Sequence, residues 1–525
     1  MSDWSFAAVW DGIAREDPGR DAVACGARRL TFGELADRAG RLAAHLGRAG
    51  LGPGDRVAID MVNRPEYLET FYAAMKLGCV PVNVNYRYGP EEIHYLLEDS
   101  GARVVVHDAE FGPPVRIAVR RIPAPWRPVT LETGSRYERA LAGTTADASA
   151  RQPSGDDLIF LYTGGTTGMP KGVMWRNDDL YVALWQMARP GTEPPDPIAT
   201  VRAGKRAATA LPACPLMHGT GLFIALSTLS GGGTVVLIDR PGLEAHEVWD
   251  AVERDSVQVL TIVGDAFARP LLAALDEEPD RWKLDSLRAI TSSGVTWSPE
   301  TKRGLLAHVP HVTLLDSLGA SEGLMTRNET TAGADIRPAR FAVNDRVKVL
   351  TLEGVEVQPG SDETGLLAVG GRIPLGYHND PEKTAATFKE IDGVRYSLPG
   401  DWASVDPDGT IQLLGRGSAC INTGGEKVYP EEVELVLRSH PAVFDCVVVG
   451  VPDERLGEMV VALIQPAAGS SIDETELRSY CRSRTAGYKT PKRMLSVDSL
   501  HRSAAGKADY SLLREMAGKL SIEDA

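Results

Sequence analysis

The chain has 525 residues, a formal net charge of −15 and 43% hydrophobic residues, which is enough length for several domains with sizeable cores. The acidic balance lacks the basic footprint of a non-specific nucleic-acid binder, yet leaves room for a nucleotide site that needs only a few local cations. Six scattered cysteines without a Cys-x-x-Cys pair suggest neither zinc nor a disulfide framework, and Met1-Ser2-Asp3-Trp4-Ser5 lacks the regions of a signal peptide, so the chain reads as cytoplasmic. In chain order, residues 32–50 carry apolar positions at helical spacing. The turn Gly52-Pro53-Gly54-Asp55 then leads to a strand at Val57-Ala58-Ile59. Further short apolar runs at Arg103 to His107, Thr234 to Asp239, Val257 to Val263 and Val312 to Leu315 are separated by helix-length segments. This favours an α/β fold of stacked, largely parallel sheets. Residues 110–155, rich in Pro, Arg and Ala, read as an irregular connector. The uncharged stretch Gly219 to Ile238 contains three consecutive glycines, so it reads as helix, turn and strand rather than an integral membrane segment. After Gly415 the texture changes to an amphipathic helix at Glu431 to Arg438, strands at Cys446 to Val451 and Val460 to Ile464, and a polar helical tail. The expected division is a large N-terminal domain, 1–416, and a small α+β C-terminal domain, 417–525.

Residues 160–172 read Phe-Leu-Tyr-Thr-Gly-Gly-Thr-Thr-Gly-Met-Pro-Lys-Gly. An apolar strand runs into glycines and threonines whose amides and hydroxyls can wrap phosphate oxygens. A Walker A loop is excluded, because Pro170 precedes Lys171 and Gly172 follows it.

A Thr/Gly-rich loop closed by Pro-Lys-Gly resembles the phosphate loop of adenylate-forming enzymes: acyl-CoA synthetases, luciferases and peptide-synthetase adenylation domains. Other segments resemble the same family in the same order. Asp316-Ser317-Leu318-Gly319-Ala320-Ser321-Glu322 is similar to its aromatic-Gly-x-Thr-Glu segment, with Leu318 in place of the ring. Pro399-Gly400-Asp401 and Leu414-Gly415-Arg416-Gly417 resemble its ribose contacts. Cys420 to Glu432, containing Gly424-Gly425-Glu426-Lys427, resembles the acyl-CoA synthetase C-terminal signature, in wording close to actinobacterial synthetases of fatty acids and steroid side chains. Leu500-His501-Arg502-Ser503-Ala504-Ala505-Gly506-Lys507 is similar to the family's terminal Leu-Pro-Arg-Thr-x-x-Gly-Lys.

The resemblance implies roles residue by residue. ATP phosphates would meet Thr163, Gly164, Gly165, Thr166, Thr167, Gly168 and Lys171, and the catalytic set would be Thr163, Lys171, Glu322 and Lys507. The adenine pocket would be bordered by Ser293, Gly294, Val295 and the 316–321 segment, with Asp316 reading the amino group. Glu322 would help hold Mg²⁺, since one carboxylate plus phosphates and waters suits that ion. Asp401 and Arg416 would take the ribose, and a carboxylate can accept from both hydroxyls at once. The acyl pocket would involve His218, Val263, Gly264, Gly294 and Gly319. Gly424, Gly425, Glu426 and Lys427 would face coenzyme A, and Ser418 would be the hinge of a mobile C-terminal domain. Lys507 would bridge the substrate carboxylate and the α-phosphate.

The implied activity is ATP-dependent adenylation of a hydrophobic carboxylic acid, fatty or bulky and polycyclic, followed by transfer to CoA. An adenylase that loads a carrier-protein phosphopantetheine, or releases the acyl-adenylate, is the alternative. A non-catalytic nucleotide-binding scaffold would predict damage at Lys171, Glu322, Asp401 or Lys507, and each has the expected residue type. A homodimer is compatible with the family.

Overall fold

The computed structural model describes all residues except 1, 2, 147–150, 166, 167, 206, 296, 337, 338, 417, 418, 424, 425, 454, 455, 504, 505, 524 and 525. Two sheets carry the nucleotide and acid regions. One runs in the order Gly376–Tyr377, Gly168–Arg176, Leu158–Gly165, Val80–Asn83, Arg56–Asp60, Ala102–His107 and Val129–Glu132. Its inner strands pair in parallel, while Leu158–Gly165 and Gly168–Arg176 form an antiparallel hairpin. The other has Thr313–Ala320, Ala289–Ser293, Val259–Ile262, Ala210–Pro212 and Val235–Leu237 as parallel neighbours, with antiparallel strands at each end. Short runs of Val, Ile and Leu suit these strands because helices cover both faces. A single apolar cluster that includes Trp10, Tyr67, Tyr72, Trp175, Leu216 and Leu226 lies between the two sheets.

Two expectations need correction. The 110–155 segment is not an irregular connector: it holds the helices Gly112–Arg121 and Ser135–Ala142 and the edge strand Val129–Glu132. Prolines 113 and 114 fall in a helix's first turn, where a missing N–H costs little. The sheets are also not largely parallel throughout. Residues 341–416 build a seven-stranded, wholly antiparallel sheet. Its hairpins are closed by turns such as Asp392-Gly393, both at positive φ, the backbone that a tight hairpin demands. Beyond it, a five-stranded sheet between Ile421 and Ser496 packs on the helices Pro430–Arg438, Glu474–Arg482 and Tyr510–Glu523. The stretch Gly219 to Ile238 folds as helix, turn and strand, and no helix among the described residues is long and apolar enough to cross a membrane.

One buried acid stands apart from the sites below. Asp60 ends its strand with no solvent exposure, and neither carboxyl oxygen has a hydrogen-bond partner among the described residues. Burial, reinforced by the charge of Asp108, pushes its carboxyl up to about 7. The folded chain therefore keeps a proton that the unfolded chain releases near pH 4, and stability falls as pH rises from there to about 7. Asp60→Asn removes this liability. We expect the variant to match the wild type in stability only near pH 4 and below, and to exceed it increasingly up to pH 8, by an amount on the order of a few kcal/mol read from urea unfolding. A pH-independent difference between the two would contradict a protonated Asp60.

Candidate active site

The phosphate-loop residues line the two strands of the Leu158–Gly165/Gly168–Arg176 hairpin. Thr163 faces Lys171 across the ladder and Gly165 faces Gly168, while the tip residues Thr166 and Thr167 lie outside the described residues. Gly172 is required by packing, since a Cβ there would stand 2.8 Å from the Tyr162 ring. Tyr162 in turn donates from its hydroxyl to Asp99 at 2.6 Å. Lys171 reaches Asp380 at 2.7 Å, and that bond raises the lysine's pKa while Asp380 also caps the helix Pro381–Thr387. Nothing local in the sequence marks Asp380 as this partner.

Two buried asparagines, also missed from sequence, fix the sheet that carries this hairpin to the loop that ends at His218. Asn83 donates to the carbonyls of Tyr162 (2.9 Å) and Met217 (2.6 Å) and accepts from the Tyr162 amide. Asn63 donates to Pro212 and Cys214 and accepts from the Leu216 amide at 2.7 Å. His218 then begins the helix Gly219–Ser230. Burial, with the charges of Lys507 and Arg87, lowers its pKa to about 4, so it is a neutral ring at physiological pH. Its Nε2 is buried with no hydrogen-bond partner among the described residues. Beside this loop lies a cavity whose apolar wall includes Ala213, Pro215, Ile238, Leu243, Val248 and Phe267.

The adenine-side residues sit on adjacent parallel strands, with Ser292 opposite Asp316 and Ser293 opposite Ser317. Gly294 turns away at φ +87, in reach of Val263 and Thr220, and Val295 packs partly buried on a second apolar cluster that includes Trp249, Leu260 and Leu314. Gly264 donates its amide to Ser292 Oγ at 2.8 Å, which ties the Val263-Gly264 turn to the same strand. Asp316 is not free to read a base with both oxygens. Its Oδ2 accepts from Lys302 Nζ at 2.7 Å, and Lys302 is a fully buried lysine whose helical setting reads from sequence as a solvated charge. Burial raises the Asp316 carboxyl above its ordinary range, and Lys302 offsets part of that rise. Leu318 is half-buried against the main core, and a bulge between Leu318 and Gly319 interrupts the ladder just before Ala320 and Ser321. Trp175 donates to the Ser321 carbonyl at 2.9 Å, and Tyr377 donates to Glu322 Oε1 at 2.7 Å. That bond fixes the Glu322 carboxylate, an oxygen donor of the type that Mg²⁺ prefers.

Asp401 and Arg416 are separated by 14 residues in sequence but are directly paired across two antiparallel strands. The backbone thus brings together the two residues assigned to the ribose. Ser418, Gly424 and Gly425 lie outside the described residues, and Glu426 and Lys427 open the strand Glu426–Val428.

The Lys507 turn is seated on the N-terminal body. A Cβ on Gly506 would stand 3.0 Å from Ala266 Cβ and 3.3 Å from a Val263 methyl, and Gly506 adopts φ +69. The turn is closed by Ser503, which donates its amide to the Lys507 carbonyl and accepts the Lys507 amide on its side chain. Arg502 holds Gly506 by its carbonyl (3.1 Å) while gripping Asp445 with two nitrogens, at 2.5 and 2.9 Å. Burial would raise Asp445, but the Arg502 bond and charge hold it below the usual carboxylate range. Asp445 is a further residue that the sequence did not single out.

A hairpin of glycine and threonine, an Asp–Arg pair across neighbouring strands and a lysine turn seated on Val263 and Ala266 define an adenylate-forming architecture. Residues 10–378 match the family described as AMP-binding enzyme, and 432–507 match the AMP-binding enzyme C-terminal domain. The chain belongs to the AMP-binding enzyme family. It is 38% identical over 536 residues to a 3-oxocholest-4-en-26-oate–CoA ligase of Rhodococcus rhodochrous, covering 95% of this chain and 94% of that one. It is 39% identical over 523 residues to a medium/long-chain-fatty-acid–CoA/3-oxocholest-4-en-26-oate–CoA ligase of Mycobacterium tuberculosis, covering 97% and 95%. Among solved structures it is similar to ATP-bound MatB from Rhodopseudomonas palustris, with TM-score 0.81, 27% identity and coverage of 97% and 99%. The fold also matches the anthranilate CoA ligase AuaEII bound to anthranoyl-AMP, at TM-score 0.85 and 24% identity over 98% of both chains.

Proposed function

We propose that this protein is an ATP-dependent acid–CoA ligase that adenylates a hydrophobic carboxylic acid, either a medium- or long-chain fatty acid or a steroid side-chain acid, and then forms the thioester. The observation that carries this reading is the Gly506-Lys507 turn lodged against Val263 and Ala266, beside the neutral His218 and the apolar cavity. Full-length relatives named for acid–CoA ligation support it.

The chemistry follows from the charges. The acid is ionised at neutral pH, so its oxygen attacks the α-phosphate with no general base, which agrees with a neutral His218 acting as wall. Charge accumulates on the phosphate as pyrophosphate departs, and the Lys507 ammonium offsets it. Thr163, the hairpin glycines and Lys171 hold the remaining phosphate oxygens, and Asp401 with Arg416 holds the ribose. Glu322, fixed by Tyr377, would hold Mg²⁺, which supplies charge neutralisation to the phosphates. For the second step the C-terminal domain, placed at 417–525, turns about Ser418. Lys507 then leaves, and the Gly424-Gly425 face with Glu426 and Lys427 meets CoA, whose thiol displaces AMP.

The test is product analysis by mass spectrometry after mixing protein, Mg²⁺-ATP and a pool of fatty, aromatic and polycyclic acids, with and without CoA. Acyl-CoA with AMP, formed only when CoA is present and only from apolar acids, is the expected result. Acyl-adenylate that accumulates and ignores CoA would favour loading of a carrier-protein phosphopantetheine instead.

A further inference from the structure

The helix Gly264–Glu277 meets the C-terminal segment at two places. Its first turn, with Val263 and Ala266, is the seat of Gly506. One turn on, Arg269 reaches across to a different part of that segment. Its Nη1 donates to the Val443 carbonyl at 3.3 Å and its Nη2 to the Arg438 carbonyl at 3.2 Å, with the guanidinium 5.9 Å from the Phe444 ring centroid. Arg438 is the last residue of the helix Pro430–Arg438, so the carbonyl that Arg269 binds lies among those left without an intrahelical donor, at the negative end of the helix dipole. The guanidinium is itself held in place by Asp265 Oδ2 at 3.4 Å, while Asp265 Oδ1 accepts the Ser298 amide at 3.0 Å. Arg269 is thus braced on the N-terminal side and presents its two terminal nitrogens to the C-terminal side.

The contact continues inward to the reacting end. Arg438, whose carbonyl Arg269 binds, sends its own side chain to Glu434 at 3.1 Å and towards Asp445 at 3.9 Å. Asp445 is gripped by Arg502, which holds Gly506 next to Lys507. The carbonyl clamp and the lysine turn are therefore two ends of one buried charge cluster, both resting on the same N-terminal helix.

We propose that Arg269 is a positioning residue for the first half-reaction: it clamps the Arg438–Val443 corner so that Lys507 is presented to the α-phosphate, and it has no part in the thioester step, when that corner has moved away. This inference rests on the ligase reading above, in which Lys507 serves adenylation alone. In energetic terms the clamp weights one of two domain arrangements, and its loss lowers the population competent for adenylation.

Wild type, Arg269→Ala, Arg269→Lys and Lys507→Ala should be compared in two assays: pyrophosphate–ATP exchange with dodecanoic acid, and thioester formation from supplied dodecanoyl-AMP and CoA. We expect Arg269→Ala to lose about ten- to a hundredfold in exchange, less than two ideal charge-assisted hydrogen bonds would give because these are long at 3.3 and 3.2 Å, and to stay within about twofold of wild type in thioester formation. Arg269→Lys should recover part of the exchange, since an ammonium can reach one carbonyl but not fork to both. Intact thioester formation also reports an intact fold. An exchange rate within about twofold of wild type, or an equal fall in both assays, overturns the proposal. The Lys507→Ala control separates the two ideas: a clean split there with none at Arg269→Ala sinks the clamp alone, whereas an equal fall in both assays for Lys507→Ala sinks the reading beneath it.

Discussion

Replacing Lys507 by alanine will lower acyl-adenylate formation by about 10²- to 10³-fold and leave thioester formation from supplied acyl-adenylate within about twofold of wild type. The size follows from what the site lacks as much as from what it has. The attacking carboxylate needs no base, His218 is neutral, and Arg502 is committed to Asp445 and the Gly506 carbonyl. Lys507 follows directly on a turn that is pinned at both ends, by Ser503 within the loop and by Val263 and Ala266 outside it. The Lys507 side chain is exposed, but the turn fixes the backbone that carries it, so little chain reorganisation is needed when charge develops at the phosphate. Thioester formation starts after that charge has gone. Single-turnover measurements of the two half-reactions check the split, and an equal loss in both would remove Lys507 from its assigned step.

The second large effect concerns a lysine with no contact to solvent. Lys302→Met keeps the aliphatic stem but leaves Asp316 buried without its cation, at a cost of about 3–5 kcal/mol in stability near neutral pH. The neighbouring Trp297 ring, 5.5 Å from the ammonium, loses a cation–π contact as well. The sign of the pH dependence is fixed by Asp316. Burial already raises its carboxyl, and removing Lys302 removes the influence that pulls it back. The folded variant then holds a proton that the unfolded chain releases, so its deficit is largest at alkaline pH and shrinks as pH falls towards the ordinary carboxylate range. Urea midpoints at pH 5.5 and 8.5 test this. A deficit that grows on acidification would contradict the assignment. If Asp316 borders the adenine as proposed, the variant should also show a raised KM for ATP at pH 8.5.

The residues that the sequence made legible are those whose chemistry is written into a short local pattern. Glycine and threonine at a strand's end, Gly-Lys at the end of a turn and paired glycines before a capped helix can each be read without knowing what lies across from them. Asp401 and Arg416 were readable as two weak signals, and the strand pairing turned them into one feature. The rest depends on what distant segments bring. Asn63 and Asn83 are ordinary polar residues until the 212–217 loop arrives more than 130 positions later to use their amides. Lys302 sits among polar neighbours on its helix, and only the strand bearing Asp316 reveals it as interior. Tyr377, Asp380 and Asp445 have the same history. The antiparallel sheet of 341–416 is hard to read for another reason: its strands are short, and a turn such as Asp392-Gly393 marks one hairpin without saying which strands pair across the sheet.

The two buried asparagines carry a consequence for how such an enzyme changes its diet. Each makes three hydrogen bonds, all of them to backbone rather than side chains, in joining the phosphate hairpin and the underlying sheet to the loop before His218. The frame around the reacting atoms is therefore indifferent to which side chains line the cavity behind it. The side chains of Pro215, Ile238, Leu243 and Phe267 line that cavity and take no part in those bonds. In the ligase proposed above, a change of preferred acid is therefore expected to be written first into this wall, and into the activating machinery last.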